Sequence, residues 1–366
     1  MDDITDGHDY PEKLRRAANS ALRQDSRRHL RDMRPGARGA DVTTENATSG
    51  VKRSLFQEHW WCDASSPGAW SSIEVALSST RKLEFIFAIT RKYGFTEVTM
   101  PYLSRVMDIT DLQAAENPPL SFSDKLAVVR EIVSRLPKHD ALFYTLAPES
   151  EFELAFNVSG YTTESLHTFR CLSPTPDHLM MIDAKTRQNI RRAAKAFTVR
   201  QSNDIGSYFD VFRQYMREKK QTNHVDEAPF ERIWAATQQR GASAILNIHD
   251  ESDKVVASTV LVWDHSFLYY WLSSRVPSRS KNSANSLLVW KALELAQSKG
   301  LIFDMDGFNS PESGLFLSRY RLTPARRVKL HWESTRYTWV ATTRAILKPS
   351  LPLSVRQGIS KRLQSL

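Results

Sequence analysis

Two carboxylates in the segment LIFDMDG, residues 301–307, have the type and spacing to do chemistry. Asp304 and Asp306 stand at the end of an apolar run, immediately before Gly307. Side chains at strand ends in α/β folds project into clefts, so either carboxylate can orient an amine nucleophile or accept its proton. Asp306 is nearer the turn and is the first choice, while strand alternation puts Asp304 on the same face. The competing reading is turn chemistry, in which each Asp bonds only its own backbone.

Cations form the second group. Arg279 and Lys281 come just before a helix that opens near Asn282. The free N–H groups and dipole of a helix start attract phosphate, although Asn282 or Asn285 also reads as a plain cap. Lys185, Gln188, Arg192 and Lys195 recur at three- or four-residue steps and share one helical stripe, opposite Ile182, Ile190 and Ala194. That stripe is either a solvated face or a groove for coenzyme phosphates or an RNA backbone. Residues 185–220 carry a net +7 and residues 319–362 a net +10, in a chain whose total is +9. Charge this polarised steers polyanions. Tyr320, Trp332, Tyr337 and Trp339 within the second stretch either stack on bases or fill a strand core. An anionic membrane surface competes for the basic C-terminal helix.

His167, His178 and His331 have no carboxylate or nucleophile close in sequence and read as ordinary polar groups. Cys62 and Cys171 are the only cysteines and lack ligand spacing, so neither a disulfide framework nor a metal site is expected. Cys171 becomes a nucleophile only if the fold brings it a histidine. No run approaches 18 apolar residues and the first 20 lack an apolar signal core, so a cytoplasmic location is expected.

The elements that must hold these residues follow from composition and periodicity. With 41% hydrophobic and 25% charged residues in 366, the chain can bury one large core or two ordinary ones, which excludes a mainly disordered or fibrous protein. Residues 1–50 balance nine basic against nine acidic residues with few large apolar side chains and read as a flexible tail. Residues 79–93 leave open a strand followed by a helix. Helices are predicted over 121–136, with Leu126, Val129, Ile132 and Val133 on one face, and over 179–197, 205–218, 226–239 and 282–300. Strands are predicted over 141–146, 165–170, 196–201, 242–250, 254–263 and 267–274, the last two joined by the turn WDHS. The order gives two α/β units around mixed sheets.

Four segments carry a family resemblance: TMPYLSRVMD at 99–108, HLMMIDAKTRQNIRRAAKA at 178–196, SLLVWKALELAQSKG at 286–300 and FDMDGFNSPESGLFLSRYRLTP at 303–324. In their order and spacing the chain resembles the acyltransferase superfamily built on the GCN5-related N-acetyltransferase (GNAT) fold. More narrowly, it resembles the two-lobed branch of Fem aminoacyltransferases and cellulose-biosynthesis-like acyltransferases. The resemblance implies an α/β fold of tandem GNAT-like lobes, each a mixed twisted sheet flanked by helices. The lobes fall at 51–177 and 178–335, with a basic extension at 336–366. It also implies transfer of an acyl or aminoacyl group from acyl-CoA or aminoacyl-tRNA to the amine of a small molecule, amino sugar or peptide. Asp306 or Asp304 would serve the nucleophile, and Lys185, Arg192, Arg279, Lys281 and Arg319 would hold the donor's phosphates. No metal is called for. The branch often has a Phe-Lys pair where this chain reads Ser318-Arg319, and SRSKNSANS at 278–286 lacks the Gly-rich turn of simple acetyltransferases. A non-catalytic anion- or nucleic-acid-binding protein on the same scaffold is therefore the alternative.

Overall fold

The run RKLEFIFAITRK, ambiguous by pattern, is a strand. It holds six successive buried residues, 83–88, and such a continuous run is what a strand buried on both faces of its sheet requires. The computed structural model describes residues 53–79, 81–113, 118–175, 177–220, 226–277, 282–308 and 310–350, without the side chains of 282 and 344–350. The expected tail at 1–50 and the end of the C-terminal extension lie outside the described residues. All described residues belong to one contact unit, Gly50–Leu366.

The first half opens with a 3₁₀ turn at Leu55–Gln57 and helix α1 (His59–Ser65). Three strands follow, β1 (Trp70–Ser78), β2 (Arg81–Lys92) and β3 (Phe95–Thr99), successively antiparallel. Tyr93 and Gly94 join the last two with φ of 56° and 76°, the conformation a two-residue hairpin turn requires. The short β4 (Thr110–Asp111) pairs with β2. Helix α2 (Phe122–Arg135) starts at Ser121, whose hydroxyl takes the Asp124 N–H while the Asp124 carboxylate takes the Ser121 N–H, a reciprocal cap. Its buried face is Val128, Val129 and Ile132. Strand β5 (Ala141–Leu146) runs parallel to β3, and helix α3 (Glu153–Val158) leads into β6 (Thr162–Cys171).

The second half begins with a departure from expectation. Instead of one helix over 179–197 there are two, α4 (His178–Met181) and α5 (Ala184–Ala196). Asp183 breaks the run because its carboxylate caps Thr186 N–H, and its own N–H bonds the carbonyl of Arg319. On α5, Ala193 rather than Ala194 is buried with Ile190. Strand β7 (Thr198–Ser202) and helices α6 (Ile205–Glu218) and α7 (Glu227–Gln239) precede the antiparallel strands β8 (Ser243–His249), β9 (Val255–Trp263) and β10 (Phe267–Arg275). Helix α8 (Asn282–Ser298) returns the chain to β11 (Ile302–Asp304), parallel to β10. Then come helix α9 (Pro311–Ser318), strand β12 (Thr323–Glu333) and helix α10 (Thr335–Ser350).

Eleven of the strands form one sheet in the order β1-β2-β3-β5-β12-β6-β11-β10-β9-β8-β7, with β4 beside β2. Apart from the added β7, this order reads the same way from both ends. Two antiparallel hairpin strands lead to a βαβ crossover (β3-α2-β5 and β10-α8-β11). A short helix and a last strand then cross to the other half: β6 pairs with β11, and β12 with β5. The two last strands pair with each other at the centre. The result is a mixed α/β fold whose sheet is flanked by helices, with α8 packed on the second-half strands and α5 packed on α8. Buried side chains gather in two clusters, one containing Trp61, Phe85, Tyr144, Phe209 and Trp271, the other Ile190, Leu288, Phe303 and Tyr320. Among the described residues no helix is long and apolar enough to cross a membrane.

Candidate functional site

The site lies where β10 and β11 part. They share three register pairs, Phe267/Ile302, Leu268/Phe303 and Tyr269/Asp304. β11 then ends, while β10 continues to Arg275 with a bulge between Tyr269 and Leu272. The outer half of β10 therefore presents a backbone edge to the opening rather than to a partner strand. Asp304 is the last paired residue, and Asp306 follows in a left-handed conformation, φ 59°, with Gly307 at φ 86°. A side chain at Gly307 would be strained at that φ and would approach Arg327 Nη1 to 3.3 Å.

An alternating chain of charge fixes both carboxylates. Asp304, fully buried, accepts Thr168 Oγ1 at 2.7 Å, Arg170 Nε at 2.7 Å, Arg327 Nη2 at 3.0 Å and the Asp306 N–H at 2.8 Å. Arg170 reaches onward to Glu149 and lies over the Phe267 ring at 4.4 Å. Arg327 reaches Asp306 at 3.4 Å, and Asp306 Oδ2 meets Arg105 Nε at 2.9 Å. The Gly307 N–H bonds Thr168 Oγ1 at 3.0 Å. Three arginines and three acids compensate one another, which is what allows charge to stay buried.

The two aspartates differ in what is left for chemistry. Asp304 spends its oxygens on four donors and anchors the loop. Burial pushes the Asp306 carboxyl up to about 6, outweighing the opposing pull of Arg105 and Arg327, so it exchanges a proton near neutrality. Asp108, where the loop after β3 ends, is pushed by burial up to about 7 against hydrogen bonds from Ser150 Oγ and the Ile109 N–H.

Of the cationic residues named from sequence, those described do not converge on these carboxylates. Lys185 and Arg192 are exposed on α5, and Arg319 is exposed at the end of α9, tied to the start of α5 through its carbonyl. Arg279 and Lys281 lie outside the described residues. Cys171 and His178 do meet, Sγ to Nδ1 at 3.8 Å, with His178 Nε2 3.0 Å from the Tyr320 carbonyl. Burial raises the thiol and lowers the imidazole, so the pair stays neutral and Cys171 is not activated. His167 is exposed on β6, and His331 lies half-buried on β12. Tyr320 is buried with its hydroxyl on the Ser286 carbonyl, Trp332 packs on His139, and Tyr337 bonds Glu97, which leaves Trp339, 70% exposed, open to a partner. Among the described residues no three His, Cys, Asp or Glu side chains are grouped to hold a metal.

Sequence reasoning missed Thr168, Arg170, Arg327, Arg105, Glu149 and Asp108 as a constellation. Its members come from different strands and loops, with Arg170 and Asp304 134 positions apart. The available hint was Arg170 two positions after Thr168, on the same face of the predicted strand over 165–170.

The geometry agrees with comparisons to known proteins. Residues 184–309, from α5 to just past Asp306, match the family model described as "Acetyltransferase (GNAT) domain". Among curated proteins no sequence matches significantly. Among solved structures the chain is similar to FemX, with 12% identity, TM-score 0.56, and 76% of this chain and 93% of that chain covered. It is also similar to the C-terminal domain of a putative lysylphosphatidylglycerol synthetase from Agrobacterium fabrum, with 10% identity, TM-score 0.50, and 78% and 92% covered. A conserved protein of unknown function from Bacteroides thetaiotaomicron aligns with 11% identity, TM-score 0.50, and 78% and 94% covered. The chain thus has a mixed α/β fold similar to that of FemX, with the match to a GNAT domain confined to residues 184–309, which span the β10–β11 opening.

Proposed function

We propose that the protein is an acyltransferase that moves an acyl or aminoacyl group from acyl-CoA or aminoacyl-tRNA onto an amine. The observation that carries this reading is the placement of Asp306, a buried carboxylate just past the end of β11 at the β10–β11 opening, which burial pushes up to about 6. The donor lies along the free edge of β10, whose backbone N–H groups past the bulge stabilise the developing oxyanion. The neutral amine attacks the carbonyl carbon, and a C–N bond forms as the thioester C–S or ester C–O bond breaks. The amine proton passes to the Asp306 carboxylate and from there to the departing thiolate or alkoxide, so no net proton is gained. Asp304 serves by fixing Arg170, Arg327 and the Asp306 backbone. Lys185, Arg192, Arg279, Lys281 and Arg319 hold the donor's phosphates. The acceptor is a small molecule, an amino sugar or a peptide amine, and the basic C-terminal extension contacts tRNA or an anionic membrane. Two lobes, 51–177 and 178–335, and a cytoplasmic setting belong to the same reading.

The test is transfer of label from acyl-CoA and from charged tRNA to a panel of amines, with wild type beside Asp306→Asn. Label reaching an amine with wild type and not with the variant supports the reading. Binding of either donor without transfer to any amine favours the anion-binding scaffold instead.

A further inference from the structure

Arg105 differs from the other two arginines of the network. The side chains of Arg170 and Arg327 are 5% exposed and tied to Asp304, whereas that of Arg105 is 35% exposed and enters from a loop of the first half. Its Nε lies 2.9 Å from Asp306 Oδ2, and its Nη2 donates to the Trp271 carbonyl at 3.0 Å. Trp271 lies in the β10 bulge, so this guanidinium bridges the two sides of the opening. Nε is buried but makes no hydrogen bond of good geometry, so charge holds it at Asp306 more than directed bonding does. The loop itself is held on both sides of Arg105: Trp271 Nε1 donates to the Leu103 carbonyl at 3.2 Å and Trp61 Nε1 to Ser104 Oγ at 3.1 Å, and Val106 and Met107 are buried, so any displacement involves the Arg105 side chain and not the loop.

We infer that the Asp306 carboxylate and the Trp271 carbonyl form a subsite for a cationic group of the acceptor, an alkylammonium or a guanidinium, and that Arg105 fills it in the resting protein. The inference rests on the acyl-transfer reading for the word acceptor, but not for the existence of the subsite. A carboxylate and a carbonyl on opposite walls satisfy the charge and one N–H of a cation, while the long 3.4 Å contacts from Arg327 leave Asp306 room for another donor. An incoming cation displaces the Arg105 side chain, which is already 35% exposed. The resting occupant lowers apparent affinity by the fraction of molecules in which it is seated.

The experiment uses the full chain as wild type, Arg105→Ala, Arg105→Gln and the double variant Arg105→Ala/Asp306→Asn. Each is titrated with low-millimolar guanidinium, methylguanidinium and propylammonium, with NaCl-matched controls, and thermal unfolding is the readout. The expected result is a saturable Tm rise of about 1–3 °C in both single variants, and none in wild type or the double variant. No rise in either single variant, or an equal rise in wild type, overturns the subsite. A rise that depends on Asp306 in a protein that transfers nothing to any amine sustains the subsite and removes the acyl-transfer reading, so the two failures are distinguishable.

Discussion

The molecule contains the same opening twice and arms it once. In the first half β3 and β5 share three pairs, the last Thr99/Phe143, just as β10 and β11 end theirs at Tyr269/Asp304. Phe143 thus stands in the place of Asp304, and Thr145 in that of Asp306. The crossing strand puts His331 opposite Phe143 where β6 puts Arg170 opposite Asp304. Tyr337 of α10 then packs against Phe95 and Phe143 and bonds Glu97. The first opening is closed by the chain's own backbone, since the Met107 N–H donates to the Thr145 carbonyl and the Ala147 N–H to the Met107 carbonyl; the other is lined by buried ion pairs and spanned by the Arg105 guanidinium. Equal backbone architecture therefore does not imply equal chemistry, because the residues at two register positions decide it.

The sharpest way to break the comparison is to remove the feature that separates the halves. Asp306→Asn should cut transfer by roughly 10²–10⁴-fold, the usual worth of a positioned proton acceptor. Thr145→Val at the corresponding position should leave it unchanged, and equal loss in both would end the distinction. The carboxylate is the active form, so transfer by wild type should rise with pH through about 6 and level off above it. A pH–rate profile of the Asn variant without that rise assigns the titration to Asp306.

Stability gives the next contrast. Arg170→Met leaves Asp304 buried with one cation fewer, at a cost of about 3–5 kcal/mol by urea unfolding. A loss under about 1 kcal/mol, the range of an exposed ion pair, would mean that the network rearranges and that Asp304 does not depend on Arg170.

A smaller effect tests the recessed carboxyl of the first half. Asp108 titrates near 7 when folded, above the ordinary carboxyl value of 3.8, so the folded state holds a proton that the unfolded state has released. Its contribution to stability is present at low pH and is lost as pH rises from about 4 to about 7. Asp108→Asn keeps an oxygen for Ser150 and Ile109 and carries no charge. At pH 8 it should be more stable than wild type by at least about 1 kcal/mol, the free energy of a tenfold change in proton affinity, with the gap closing by pH 4. A pH-independent difference would show that Asp108 acts by shape alone.

Helices and buried strands were legible where local signals agreed. The helix over 205–218 and the strand over 141–146 stand where periodicity put them, and the reciprocal cap at Ser121 marks the start of α2. What local pattern did not supply was pairing. Strand β12 looked like a basic, aromatic stretch because Arg326 and Lys329 face Glu153 and Glu164, partners far away in the chain. Asp304 and Asp306 were visible as strand-end carboxylates, but their division of labour depends on Thr168, Arg170 and Arg105, which no spacing connects to them. The break at Asp183 was readable in principle, since an aspartate three residues before Thr186 is a capping signal that the flanking helical pattern masked.

The smallest expected effect sits at the counterpart of Arg170. His331 lies on β12 opposite Phe143 with its Nδ1 buried and without a hydrogen bond. A buried polar atom left unpaired costs stability, and an apolar ring of similar shape removes that cost while keeping the packing. His331→Phe should therefore fall within about 1 kcal/mol of wild type, on the stabilising side, and leave transfer untouched. If it instead destabilises as much as Arg170→Met, the imidazole has a polar partner in the working protein, and the first-half opening is a second functional site rather than a closed one.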